Sequence, residues 1–111
     1  MKRIEAIIQP HKLNQVIAAL HGLPQFPGFT VLDAFGQGHG RGEGGNYKYD
    51  NKEGLLAHRR CFLVVFCEDD FAITVVNTVI GATHTGQAGD GLIGVVDVDA
   101  LYRIGSSEVR A

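Results

Sequence analysis

The chain has little that would direct it to a membrane or to an oxidising compartment. No apolar run approaches the roughly 18 residues a membrane-spanning helix needs, and the opening Met1-Lys-Arg-Ile-Glu-Ala-Ile-Ile is too short and too charged for a secretory h-region. A cytoplasmic location is expected. Net charge is nearly absent at −2, so the whole-molecule field offers nothing to nucleic acid. Only locally, at Arg41, Lys48, Lys52, Arg59 and Arg60, does half of the set of ten basic residues gather. Cysteine is scarce, with Cys61 and Cys67 alone. In a single strand they would share a face about 20 Å from each other, too far to bridge or chelate together. Reduced core thiols in a reducing compartment are expected.

What is present has the size and composition of one small globular domain spanning residues 1–111, with 45% hydrophobic and 20% charged residues. Lys2 to Gln9 reads as a strand with Ile4, Ala6 and Ile8 on one face. Pro10 opens a helix where its missing N–H costs nothing, and Leu13, Val16, Ile17 and Leu20 follow at helical spacing. Gly22, Pro24, Pro27 and Gly28 end that helix, and Phe29 to Phe35 is strand-like. Cys61 to Cys67 is a continuous apolar run of strand length. Asp69 or Asp70 then supplies an N-cap for a helix through Phe71, Val75, Val76, Val79 and Ile80, although β-branched residues also favour strands. Gly81 and Gly86 bracket its end, and Leu92 to Val98 is a fourth strand. The order βαββαβ predicts an α+β, ferredoxin-like fold with two helices on one face of a four-stranded antiparallel sheet. The other sheet face is left uncovered, which predicts that it is covered by assembly with further copies of the chain.

Two glycine clusters interrupt this pattern. Gly36-Gln-Gly-His-Gly-Arg-Gly-Glu-Gly-Gly45 carries glycine at six of ten positions, a density no packed helix or strand tolerates. With Asn46 to Gly54 it makes a structureless insert of roughly 20 residues, and inserts that long are usually functional. Bare N–H groups make such a segment either a phosphate cradle or a mobile arm. The second cluster, Thr85-Gly-Gln-Ala-Gly-Asp-Gly-Leu92, ends in a Gly-Asp-Gly turn entering a strand. Its N–H groups and the Thr85 hydroxyl suit an anion, but Gly-Asp-Gly is also an ordinary tight turn.

Along nearly its whole length the chain resembles the P-II signal-transduction family. The resemblance rests on Met1 to Leu13 as an opening strand and turn and on Thr85 to Gly91 as a C-terminal signature. Thr30-Val31, Gly36-x-Gly38, Asp69-Asp70 and Val96-x-Asp-Val98 lie between them at compatible spacing. It implies a trimer that binds an adenine nucleotide (AMP, ADP or ATP) in the clefts between subunits. It also implies a flexible T-loop, residues 36–58, that docks on a regulated partner such as a membrane transporter or a nitrogen-metabolism enzyme. Carried over residue by residue, the nucleotide site comprises Thr30, Gly36, Gly38, Gly89, Asp90, Gly91 and Arg103, with Thr85 beside the turn and His39 and Arg41 as partial compensation for lost cations. Leu92 and Gly105 stand where the family places two further basic residues, so AMP or ADP suits the site better than ATP. Gly40 stands where nitrogen-sensing members place a glutamine that helps hold 2-oxoglutarate, leaving Arg60 as the matched anion-holding residue. Neither Tyr47 nor Tyr49 matches the tyrosine that some members modify, and both are expected to be partner-docking residues, as is Arg41.

Two other readings compete. His11, His39, His58 and His84 lie at loop or element ends, accessible to a borderline metal, and the glycine-rich loop is similar to that of divergent P-II-like proteins encoded beside heavy-metal efflux pumps. That points to a metal-responsive or metal-binding trimer linked to such efflux. No histidine pair has chelating spacing, however. An enzyme built on Asp69, Asp70 and Asp90 has no visible nucleophile–base pair, so a non-enzymatic protein is expected.

Overall fold

A computed structural model describes residues 1–37, 58–87, 89–105 and the backbone of 109–110. Among the described residues there are six strands and two α-helices: β1 (Lys2–Ile8), α1 (Leu13–His21), β2 (Thr30–Phe35), β3 (Arg59–Cys67), α2 (Ala72–Thr83), β4 (Gly91–Asp97), β5 (Leu101–Tyr102) and β6 (Val109–Arg110). The first four long strands form one antiparallel sheet in the order β2-β3-β1-β4. Neither α1 nor α2 connects strands that are neighbours in that order. This is the expected ferredoxin-like arrangement.

Period-two alternation explains which sheet face is covered. Ile4, Ala6 and Ile8 of β1 and Cys61, Leu63, Val65 and Cys67 of β3 turn to the helices and are buried. Val16 and Leu20 of α1 and Ala72, Val75 and Val79 of α2 close over them. Both cysteines are free and buried, and burial pushes the Cys67 thiol above its ordinary pKa. The intervening residues form the other face. Register places Leu32, Phe62, Ile7 and Leu92 in one row across all four strands. Leu32 is 53% and Leu92 61% exposed at the two ends of that row.

Several boundaries differ from the sequence expectations. Pro10–Lys12 forms a 3₁₀ turn before α1, with Pro10 at its first position and Gln9 as the flanking residue. Neither Asp69 nor Asp70 is an N-cap. Asp69–Phe71 is itself a 3₁₀ turn flanked by Glu68, which makes no capping side-chain bond. Asp69 instead pairs with the Met1 ammonium, and that hydrogen bond holds its carboxyl below the ordinary range. The acidic pair still sits at the positive end of the following helix. The end of α2 does agree: the helix runs past Gly81 to Thr83 and stops before Gly86, so the two glycines bracket its end as expected. A glycine costs a helix about 1 kcal/mol, less than the burial of Val79 and Thr83 on either side of it supplies. The β5–β6 pair forms a second, two-stranded sheet that the apolar pattern did not signal, because strands of two residues are too short to show a period.

Candidate functional site

The Gly-Asp-Gly turn sits where α2 hands the chain to the edge strand β4. The Asp90 carboxylate accepts from the Thr85 hydroxyl, from the Thr85 amide at 2.8 Å and from the Gly86 amide at 3.1 Å. The Thr85 oxygen in turn accepts from the Gln87 amide at 3.2 Å. These donors, the Thr85 hydroxyl foremost, hold the Asp90 carboxyl below its ordinary pKa, with His84 Nδ1 3.6 Å away adding a smaller effect. A carboxylate engaged in this way cannot offer its charge to a phosphate, which it would repel. Asp90 therefore closes the turn. Thr85 and Asp90, assigned to one site from sequence, are brought together here as partners of each other.

Gly89 has φ +91° and Gly91 has φ +113°. The two positions are not equally demanding. A Cβ on Gly89 would meet Gln9 Nε2 at 3.5 Å, an ordinary contact, whereas a Cβ on Gly91 would lie 2.0 Å from the Ile7 carbonyl oxygen. Gly91 pairs with Ile8, and the edge strand crosses β1 there with no room for a side chain. Beside the turn a groove of about 280 Å³ opens between α2 and β4, lined by Ile80, Thr83, His84, Asp90, Leu92 and Ile93 among others.

The remaining assigned residues lie elsewhere. Thr30 begins β2, the opposite edge of the sheet. Gly36 follows the end of that strand, and its amide donates to the His58 carbonyl at 3.0 Å, closing the base of segment 36–58. Three interstrand gaps separate β2 from β4, about 14 Å. Arg103 follows β5 and lines a second groove, of about 330 Å³, with Phe26, Phe66, Phe71 and Tyr102. Lys2 pairs with Cys67 and Asp97, and Ile8 with Cys61 and Gly91. The Phe66–Phe71 end of the sheet is thus about 20 Å from the Gly91 end. One chain therefore holds the matched residues in three places. Gly38, His39, Gly40, Arg41, Tyr47 and Tyr49, together with most of the predicted T-loop, lie outside the described residues.

At the loop base, Arg59 Nη2 donates to Asp33 Oδ1 at 2.9 Å, which raises the arginine's pKa. Arg60 Nη1 donates to the Arg59 carbonyl at 2.8 Å. Both basic residues expected beside the loop are thus fastened to its stem. Among the described residues no three His, Cys, Asp or Glu side chains converge to hold a metal ion, and no helix is long and apolar enough to cross a membrane. Sequence reasoning missed Gln9, whose Nε2 donates to the Gly89 carbonyl at 2.8 Å. A glutamine beside Pro10 carries no local signal of a partner 80 residues away.

The family model "Nitrogen regulatory protein P-II" matches residues 1–108. The chain is 37% identical over 109 residues to a nitrogen regulatory protein P-II of Azospirillum brasilense, an alignment covering 97% of this chain and 95% of that one. It is 36% identical over 109 residues to nitrogen regulatory protein P-II 1 of Escherichia coli K12, with the same coverage. It is 33% identical over 112 residues to a P-II protein of Pyropia yezoensis, covering 99% and 96% of the two chains. With the ferredoxin-like sheet, the Thr85–Gly91 turn and matches at this level over almost every residue, the chain belongs to the P-II family of nitrogen regulatory signalling proteins.

Proposed function

We propose that this protein is a non-enzymatic sensor that assembles as a trimer, binds an adenine nucleotide in the clefts between subunits and regulates a partner protein through segment 36–58. The separation of the matched residues carries this reading. Thr30 and Gly36 lie on one sheet edge, Gly89 to Gly91 on the other, and Arg103 at the far end. A second copy placed against the first can bring an edge or an end of one sheet to the turn of its neighbour. The apolar row Leu32, Phe62, Ile7 and Leu92 supplies a driving force for that contact, since an uncovered apolar face favours burial.

The anion-binding chemistry is that of backbone N–H groups in a glycine turn, supplemented by Arg103. With Leu92 and Gly105 at two positions that are basic elsewhere in the family, few side-chain cations remain to neutralise a triphosphate. AMP and ADP are the favoured ligands on that ground. The regulated partner is proposed to be a membrane transporter, a reading that rests on the family resemblance and the basic character of the loop and its stem. Isothermal titration with AMP, ADP and ATP, alongside light scattering at micromolar concentration, tests the proposal. Saturable binding of at least one nucleotide by a particle of three chains is expected. A monomer mass, or no heat with any of the three, would refute it.

A further inference from the structure

Gln9 leaves the end of β1 immediately after Ile8, the residue that pairs with Gly91. Its backbone is fixed from both sides. Pro10 follows it, its φ and ψ are −67° and 137°, and its carbonyl accepts from the Lys12 amide at 3.0 Å. The side chain is thereby aimed at the turn, where Nε2 reaches the Gly89 carbonyl at 2.8 Å. That carbonyl belongs to the same planar peptide unit as the Asp90 N–H. In a trans peptide the two point in opposite directions, so holding one aims the other.

We propose that Gln9 is the positioning residue of the anion-binding turn: by holding the Gly89 carbonyl to the β1 side, it presents the Asp90 N–H to a nucleotide phosphate on the opposite side. The role rests on the nucleotide reading above. Glycine at position 89 makes such a clamp necessary. At φ +91° no side chain of its own restricts the peptide, and a Cβ there would face Gln9 itself. Thr85 and the Gly86 amide fasten the Asp90 side chain, leaving the preceding peptide plane to be fixed from β1. A glutamine does this without adding charge, which leaves phosphate selection to the turn and to Arg103.

The test is ADP titration of the full-length protein and of the Gln9→Met and Gln9→Glu variants between about pH 4.5 and 8, each compared with wild type at the same pH. Methionine keeps length and neutrality but cannot donate, so Gln9→Met is expected to bind about fivefold more weakly throughout, the worth of one net hydrogen bond. Glutamate repels the carbonyl when ionised and donates its O–H when neutral. Gln9→Glu should therefore be weakest near pH 8 and, as its carboxyl protonates, rise above Gln9→Met toward wild type. A merely structural role would not produce that crossing. Equal affinity of wild type and Gln9→Met, or Glu and Met variants that track each other at every pH, overturns the assignment of Gln9 while leaving nucleotide binding intact. Absence of binding by wild type overturns both. If Gln9→Met does not fold, the pH profile of Gln9→Glu decides alone.

Discussion

Gly89 and Gly91 both adopt positive φ, yet they respond to different constraints. At Gly89 an added methyl meets only the far end of a flexible glutamine, so Gly89→Ala is limited to backbone strain of order 1–3 kcal/mol. At Gly91 the methyl would lie 2.0 Å from a backbone carbonyl, and relief requires β4 to move off β1. Urea unfolding should rank Gly91→Ala well below Gly89→Ala in stability; the reverse order would mean that the β1–β4 pairing is not the constraint. Asp90 gives a pH prediction. Its carboxyl is held below its ordinary pKa chiefly by the Thr85 hydroxyl. The hydrogen bonds it accepts are then fully present above the ordinary carboxylate pKa and are lost as pH falls through the lowered value. The amide resonances of Thr85 and Gly86 should hold steady through neutral pH and shift together only in acid. A shift centred near neutrality would mean that Asp90 is not the group these amides report.

At the scale of the element, α2 shows packing overriding propensity. Ile73, Val75, Val76, Val79 and Ile80 favour strands intrinsically, but Val75 and Val79 are four apart and wholly buried against the sheet. Burial of a valine is worth roughly 1.5–3 kcal/mol, several times the helix-propensity difference of about 0.7 kcal/mol or less. Val79→Ala should accordingly cost about 2 kcal/mol in a denaturant titration. Ile73→Ala, at a position 64% exposed, should change stability by about 0.5 kcal/mol or less. Similar losses at both sites would place Ile73 in an interface between chains.

For the whole molecule, the exposed row from Leu32 to Leu92 and the segment closed by Gly36 and His58 are predicted to do separate work. Leu92→Asp should disrupt the proposed trimer, seen as a fall in light-scattering mass, and should abolish the proposed ADP binding with it. Deleting residues 43–52 should leave assembly and ADP affinity nearly unchanged, since shortening a closed loop changes its entropy little. Partner capture should disappear. A pull-down from native cells with full-length and deleted protein, with and without ADP, checks this; a partner retained equally by both removes segment 36–58 as the output arm.

Local periodicity was enough to place β1, α1, β3 and the core residues Ile4, Ala6, Ile8, Val16 and Leu20, because alternation and helical spacing are properties of neighbouring residues. The Gly89–Gly91 turn was legible for the same reason, as were the motifs that identify the family. Long-range geometry was not. Asp69 reads as a helix cap until the chain brings Met1 beside it, and the Asp90 carboxylate reads as free until Thr85 is seen to occupy it. Gly91 is more demanding than Gly89 because β1 passes behind it. The sequence by itself determined the elements, the buried face and the family. Only the tertiary structure decided that the matched residues lie on opposite edges and ends of one sheet, and that Gln9 grips Gly89. Both depend on the register between strands distant in sequence, and no residue's immediate neighbours encode that register.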